Sequence, residues 1–108
     1  MTRAPDRFNA EALAKVDPVI HAPARLAIVT VLAVAGGADF VFLLKNTGLT
    51  RGNLSSHLTK LEEAGYVSIE KRFVERVPRT MVKLTGEGSE ALKTYRRQLT
   101  QVLECLPE

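Results

Sequence analysis

Cysteine is nearly absent: Cys105 is the only one in 108 residues. A disulfide within the chain is therefore excluded, and so is a metal site built from several thiolates. His21 and His57 are the only histidines, so neither a transition metal nor any other cofactor is expected. Long hydrophobic runs are missing too. The most apolar stretch, residues 26–35, falls well short of the roughly 18–20 residues that cross a bilayer. The opening Met1-Thr2-Arg3-Ala4-Pro5-Asp6-Arg7 has no apolar core of a signal peptide. These gaps point to a cytoplasmic protein without a membrane partner. No phosphate loop, metal motif or nucleophile constellation is present, so the chain does not read as an enzyme. Ser55-Ser56-His57 does not supply one, because close neighbours on a helix point apart and no third group orients them.

What is present is ordinary globular material, 45% hydrophobic and 25% charged, in a length that suits one compact domain. Fifteen Lys and Arg against twelve Asp and Glu leave a formal charge of +3. So small an excess says little; the placement of the charges says more.

Residues 10–16 read as a short helix that Asp17-Pro18 ends. A second helix starts at Pro23, is apolar almost all round, and stops at Gly36-Gly37, which predicts a buried central helix. Asp39 caps a third helix over residues 40–47, with Phe40, Leu43 and Leu44 on one face. Gly48-Leu49-Thr50 turns the chain into a fourth helix, residues 50–64, which buries Leu54, Leu58 and Leu61. Residues 66–73 and 79–84 then read as a hairpin across a loop at 74–78, and a last helix runs from Thr85 to about Leu106.

Two short helices about a glycine turn, the second with a polar outer face, form a helix-turn-helix signature. That face offers Thr50, Arg51, Gly52, Asn53, Ser55, Ser56, His57 and Lys60. Arg and Lys donate to guanine edges or phosphates, Asn pairs with adenine, and Ser or Thr serves either. Gly52 lets backbone approach a ligand closely. The following hairpin carries Lys71, Arg72, Arg76, Arg79 and Lys83 against the single acid Glu75 from residue 71 onward. A basic ribbon in that place suits the phosphates that flank a minor groove.

The block Leu49-Thr50-Arg51-Gly52-Asn53-Leu54-Ser55-Ser56-His57-Leu58, with Lys60-Leu61-Glu62-Glu63-Ala64-Gly65-Tyr66-Val67, resembles the recognition helix and first wing strand of winged helix-turn-helix regulators. Pro78-Arg79-Thr80 and Leu84-Thr85, with Gly88 after them, extend the likeness, and His21-Ala22-Pro23-Ala24-Arg25-Leu26 resembles a first core helix. The likeness is to small stand-alone members near the ArsR and MarR families. It implies an α+β, mostly α fold with a two-stranded β-hairpin wing and a C-terminal dimerisation helix. The expected division is an N-terminal segment at 1–20, a DNA-binding domain at 21–84 and a dimerisation helix at 85–108. The implied function is transcriptional regulation by a homodimer on double-stranded DNA, with residues 50–64 in the major groove and the wing 67–84 on flanking backbone and minor groove. The alternative is a protein–protein interaction module that uses the same fold without DNA. Two departures stand out: residues 74–77 contain no glycine for the wing tip, and the cysteine pairs of arsenical-type metal sensors are missing.

In the last helix Leu92, Tyr95, Leu99, Val102 and Leu106 recur at spacings of three and four, a heptad seam that Leu103 widens. These six residues are the expected dimer interface.

Overall fold

The computed structural model describes residues 10–108; the opening segment, on which the expectation about a signal peptide rests, lies outside the described residues. The expected short helix is present as a 3₁₀ helix, Ala10–Lys15. Four α-helices follow: α1 (Pro23–Ala35), α2 (Phe40–Thr47), α3 (Arg51–Glu63) and α4 (Gly86–Leu103). Strands β1 (Ala38–Asp39), β2 (Val67–Val74) and β3 (Val77–Leu84) form one antiparallel sheet in the order β1-β3-β2. The fold is mostly helical with a small sheet, a winged helix.

Local chemistry sets the boundaries. Pro23 opens α1, where its missing N–H is no loss. Asp39 caps α2 by accepting from the Phe42 amide at 2.7 Å. Thr50 caps α3 by accepting from the Asn53 amide at 3.2 Å. Thr85 caps α4, its hydroxyl accepting from the Gly88 amide at 3.0 Å and donating to the Gly65 carbonyl at 2.6 Å. Between α2 and α3 the chain reverses through Gly48, whose φ of 71° lies where a side chain is disfavoured.

The core gathers Ile28, Val29 and Leu32 from α1, Leu43 from α2, and Leu54, Leu58 and Leu61 from α3. Val67 and Val82 join from the sheet, Tyr95 from α4, and Val16 and Ile20 from the N-terminal segment. All three α3 leucines expected to face inward do so.

Four features differ from the sequence expectation. The sheet has three strands, because residues 38 and 39 pair with 82 and 81 before Asp39 starts α2. The wing has no five-residue loop; β2 and β3 run on to Val74 and Val77 and meet across Glu75 and Arg76, both left-handed at φ 52° and 68°. Helix α1 is buried on one side only, and Val34 near its end is 85% exposed. Helix α4 stops at Leu103, so Leu106 lies beyond it.

Candidate nucleic-acid interface

The outer face of α3 is open. Thr50, Arg51, Gly52, Asn53, Ser55, Ser56 and Lys60 are all exposed. Arg51 rests its guanidinium 5.8 Å from the centre of the Phe40 ring, a cation–π distance that steadies a long side chain. Gly52 has a particular freedom: a Cβ built there meets nothing within 4 Å, and its φ is not one that disfavours side chains. Neither packing nor backbone geometry calls for glycine at this place.

His57 sits differently from its neighbours on α3. It is half-buried, and its Nδ1 lies 3.3 Å from an Arg25 nitrogen. Burial lowers its pKa, and the charges of Arg25 and Lys60 lower it further. Arg25 also donates to the carbonyls of Val19 and Pro18, which ties the N-terminal segment to α1 and α3. Sequence reasoning missed Arg25 because its partners lie 6, 7 and 32 residues away.

In the wing, the pleat sends alternate residues to opposite faces. Arg72 and Arg79 stand directly across from each other, so both guanidiniums share one face. Each has an acidic neighbour: Arg72 lies 2.8 Å from Glu70, and Arg79 lies 3.8 Å from Asp39. The Arg72 hydrogen bond and charge hold the Glu70 carboxyl below its ordinary range. Such exposed pairs are weak and exchange readily for another anion. Lys71 and Arg76 take part in no ion pair among the described residues. Every residue from 70 to 79 is exposed, so the ribbon leaves the body of the protein.

The residues expected at a dimer seam separate into two sets. Tyr95 is buried within the chain's own core and lies 2.8 Å from His21 Nδ1, while Leu92 and Leu99 pack against that core. Val102 is also buried. Leu103 and Leu106 remain 51% and 60% exposed.

The N-terminal segment is latched on the same side. Tyr66 donates a hydrogen bond to Asp17, whose other oxygen accepts from the Val19 amide at 2.8 Å. That hydrogen bond, with burial and the charges of Asp17 and Glu87, pushes the Tyr66 hydroxyl up to about 12. Among the described residues no three His, Cys, Asp or Glu side chains gather as metal ligands, and no helix is long and apolar enough to cross a membrane.

Comparison with known proteins agrees with this geometry. Residues 24–103 match the family model described as a winged helix DNA-binding domain. The uncharacterized protein MJ0432 of Methanocaldococcus jannaschii is 32% identical over 90 residues, covering 81% of this chain and 98% of that one. The structure of a transcriptional regulator homologue from Pyrococcus horikoshii superposes with a TM-score of 0.81 at 34% identity, over 87% of this chain and 95% of the other. A putative MarR-like regulator from Bacillus cereus shares the fold at a TM-score of 0.67 and 24% identity, over 90% of this chain and 75% of its own. The chain belongs to the winged helix DNA-binding domain family, and its fold is that of the MarR-like transcriptional regulators.

Proposed function

We propose that the protein is a homodimeric transcriptional regulator that binds specific sequences in double-stranded DNA. Helix α3 occupies the major groove, and the wing lies on flanking backbone and minor groove. Asn53 and Arg51, close to the α3 N-terminus, read base edges, while Lys71, Arg72, Arg76 and Arg79 grip phosphate. The observation that carries this reading is Gly52, a helical glycine that its own fold does not require. Glycine in a helix gives up as much as about 1 kcal/mol against alanine. Its use beside exposed Arg51 and Asn53 is explained by a ligand that must come close to the backbone.

Selection of bound fragments from random duplexes gives the test. An enriched motif with two-fold symmetry supports both specificity and the dimer; no enrichment over random sequence removes the DNA-reading assignment. On the enriched duplex, Gly52→Ala is expected to raise stability by up to about 1 kcal/mol while weakening DNA binding. If affinity is unchanged, Gly52 has no part in the contact.

A further inference from the structure

The two rungs behind the wing turn are apolar, although the stem is basic and the turn itself is Glu75 and Arg76. Phe73 is 77% exposed, Val74 49% and Val77 47%, and Pro78 is exposed beside them. The register places Phe73 opposite Pro78 and Val74 opposite Val77. The pleat therefore gives Phe73 and Pro78 to one face and the two valines to the other. Both faces of the ribbon therefore present apolar groups just behind the turn.

Unbalanced positive charge stands on the body side of these rungs. One rung toward the body come Arg72 and Arg79, and one further Lys71 and Thr80. At the turn itself Glu75 and Arg76 cancel formally. An apolar band beside a basic collar suits a polyanion with an apolar interior. A second copy of the chain would bring the same collar and be repelled.

We infer that the wing tip is an apolar wedge for the minor groove beside the α3 contact. Phe73 enters and partly opens a base step, Val74, Val77 and Pro78 lie along the sugars, and the collar holds the phosphates on both sides. This rests on the DNA-binding reading and adds a deformation of the duplex to it. Pyrimidine–purine steps open most easily, so the wedge selects its flank by stiffness without hydrogen bonds to bases.

The test uses the full chain and the duplex enriched from random sequence, with 2-aminopurine placed in turn at each flanking step and dyes at the two ends. The wild-type protein is expected to raise 2-aminopurine fluorescence at one step per wing and to shorten the end-to-end distance. Phe73→Ala should abolish both signals, weaken binding roughly tenfold by losing buried apolar area, and leave the salt slope unchanged because no charge is lost. Phe73→Leu should keep most of the signal. Equal melting temperatures for the three proteins show that folding is intact, as exposure of residue 73 implies. A wild-type complex with every flanking step stacked overturns the wedge while leaving the DNA-binding reading standing. So does a Phe73→Ala protein with unchanged fluorescence, or one that alters self-association and leaves the DNA complex as it was. If no duplex is enriched, the DNA-binding reading fails and the wedge falls with it.

Discussion

Gly88 in α4 lies directly against the Tyr66 carbonyl: a Cβ built on it would stand 2.1 Å from that oxygen. The same carbonyl accepts from the Thr85 amide at 3.0 Å, and the Thr85 hydroxyl donates to the Gly65 carbonyl at 2.6 Å, so the start of α4 is docked closely on the entry to β2. Gly88→Ala must separate the two, and the buried surroundings leave no room. Stability is expected to fall by about 3 kcal/mol or more, with a Tm loss above roughly 10 °C. Denaturant titration measures it; a loss under 1 kcal/mol would mean that α4 shifts freely.

The wing turn holds two non-glycine residues in the left-handed region, each disfavoured there by about 1 kcal/mol. Arg76→Gly should therefore raise stability by about 0.5–1 kcal/mol. If Arg76 grips phosphate, the same change weakens binding to specific and scrambled duplexes alike and lowers the salt slope by about one. Asn53→Ala should behave in the opposite manner, relaxing sequence preference for about 1–3 kcal/mol while the slope stays put. Affinities across a salt series separate the two; a change of sequence preference for Arg76→Gly alone would reverse reader and clamp.

His57 makes stability depend on pH. Its pKa in the folded chain is below the ordinary value of 6.5, so the unfolded chain binds the proton more readily. The stabilisation is complete above the ordinary value and is lost as pH falls through the lowered one. Urea midpoints from neutral to mildly acidic pH should decline, and His57→Asn, which keeps an acceptor for Arg25, should decline less. Parallel curves would assign the acid sensitivity to another group.

How much of this was legible depended on how far apart the interacting residues lie. The turn at Gly48, the Thr50 cap and the leucines at 54, 58 and 61 speak within one helix, and the sequence shows them without help. A two-residue strand is too short to display alternation, so β1 left no trace. The turn at Glu75 and Arg76 goes against local preference and misleads any reading that looks for glycine. The stripe on α4 was plain, but its cover was not. A heptad pattern reports that one face is buried without saying by what. The N-terminal residues Val16 and Ile20, which share a core with Tyr95, are more than seventy positions away.

That division decides which α4 residue can test the dimer. Leu99 packs against the chain's own core, so a charge there would damage the fold and any interface together. Leu103 is exposed, and Leu103→Glu is expected to leave the monomer folded while shifting a dimer toward monomer in sedimentation. A wild-type chain that sediments as a monomer at micromolar concentration disposes of the homodimer, whatever the variant does.

Asp39 belongs at once to β1 and to the cap of α2. Its backbone is paired to Met81, its carboxylate receives the Phe42 amide at 2.7 Å, and the same carboxylate faces Arg79 at 3.8 Å. The helix pair and the ribbon are thus riveted at a common root, with no slack segment between them. The spacing of helix pair and ribbon is set at Asp39 by hydrogen bonds and strand pairing, not by the length of a loop, like the fixed jaws of a calliper. On the proposed docking, a duplex whose grooves did not match that opening would have to bend or twist to meet both elements. Should Arg79 turn to a phosphate, the rivet survives, since the cap and the strand pairing do not depend on that ion pair.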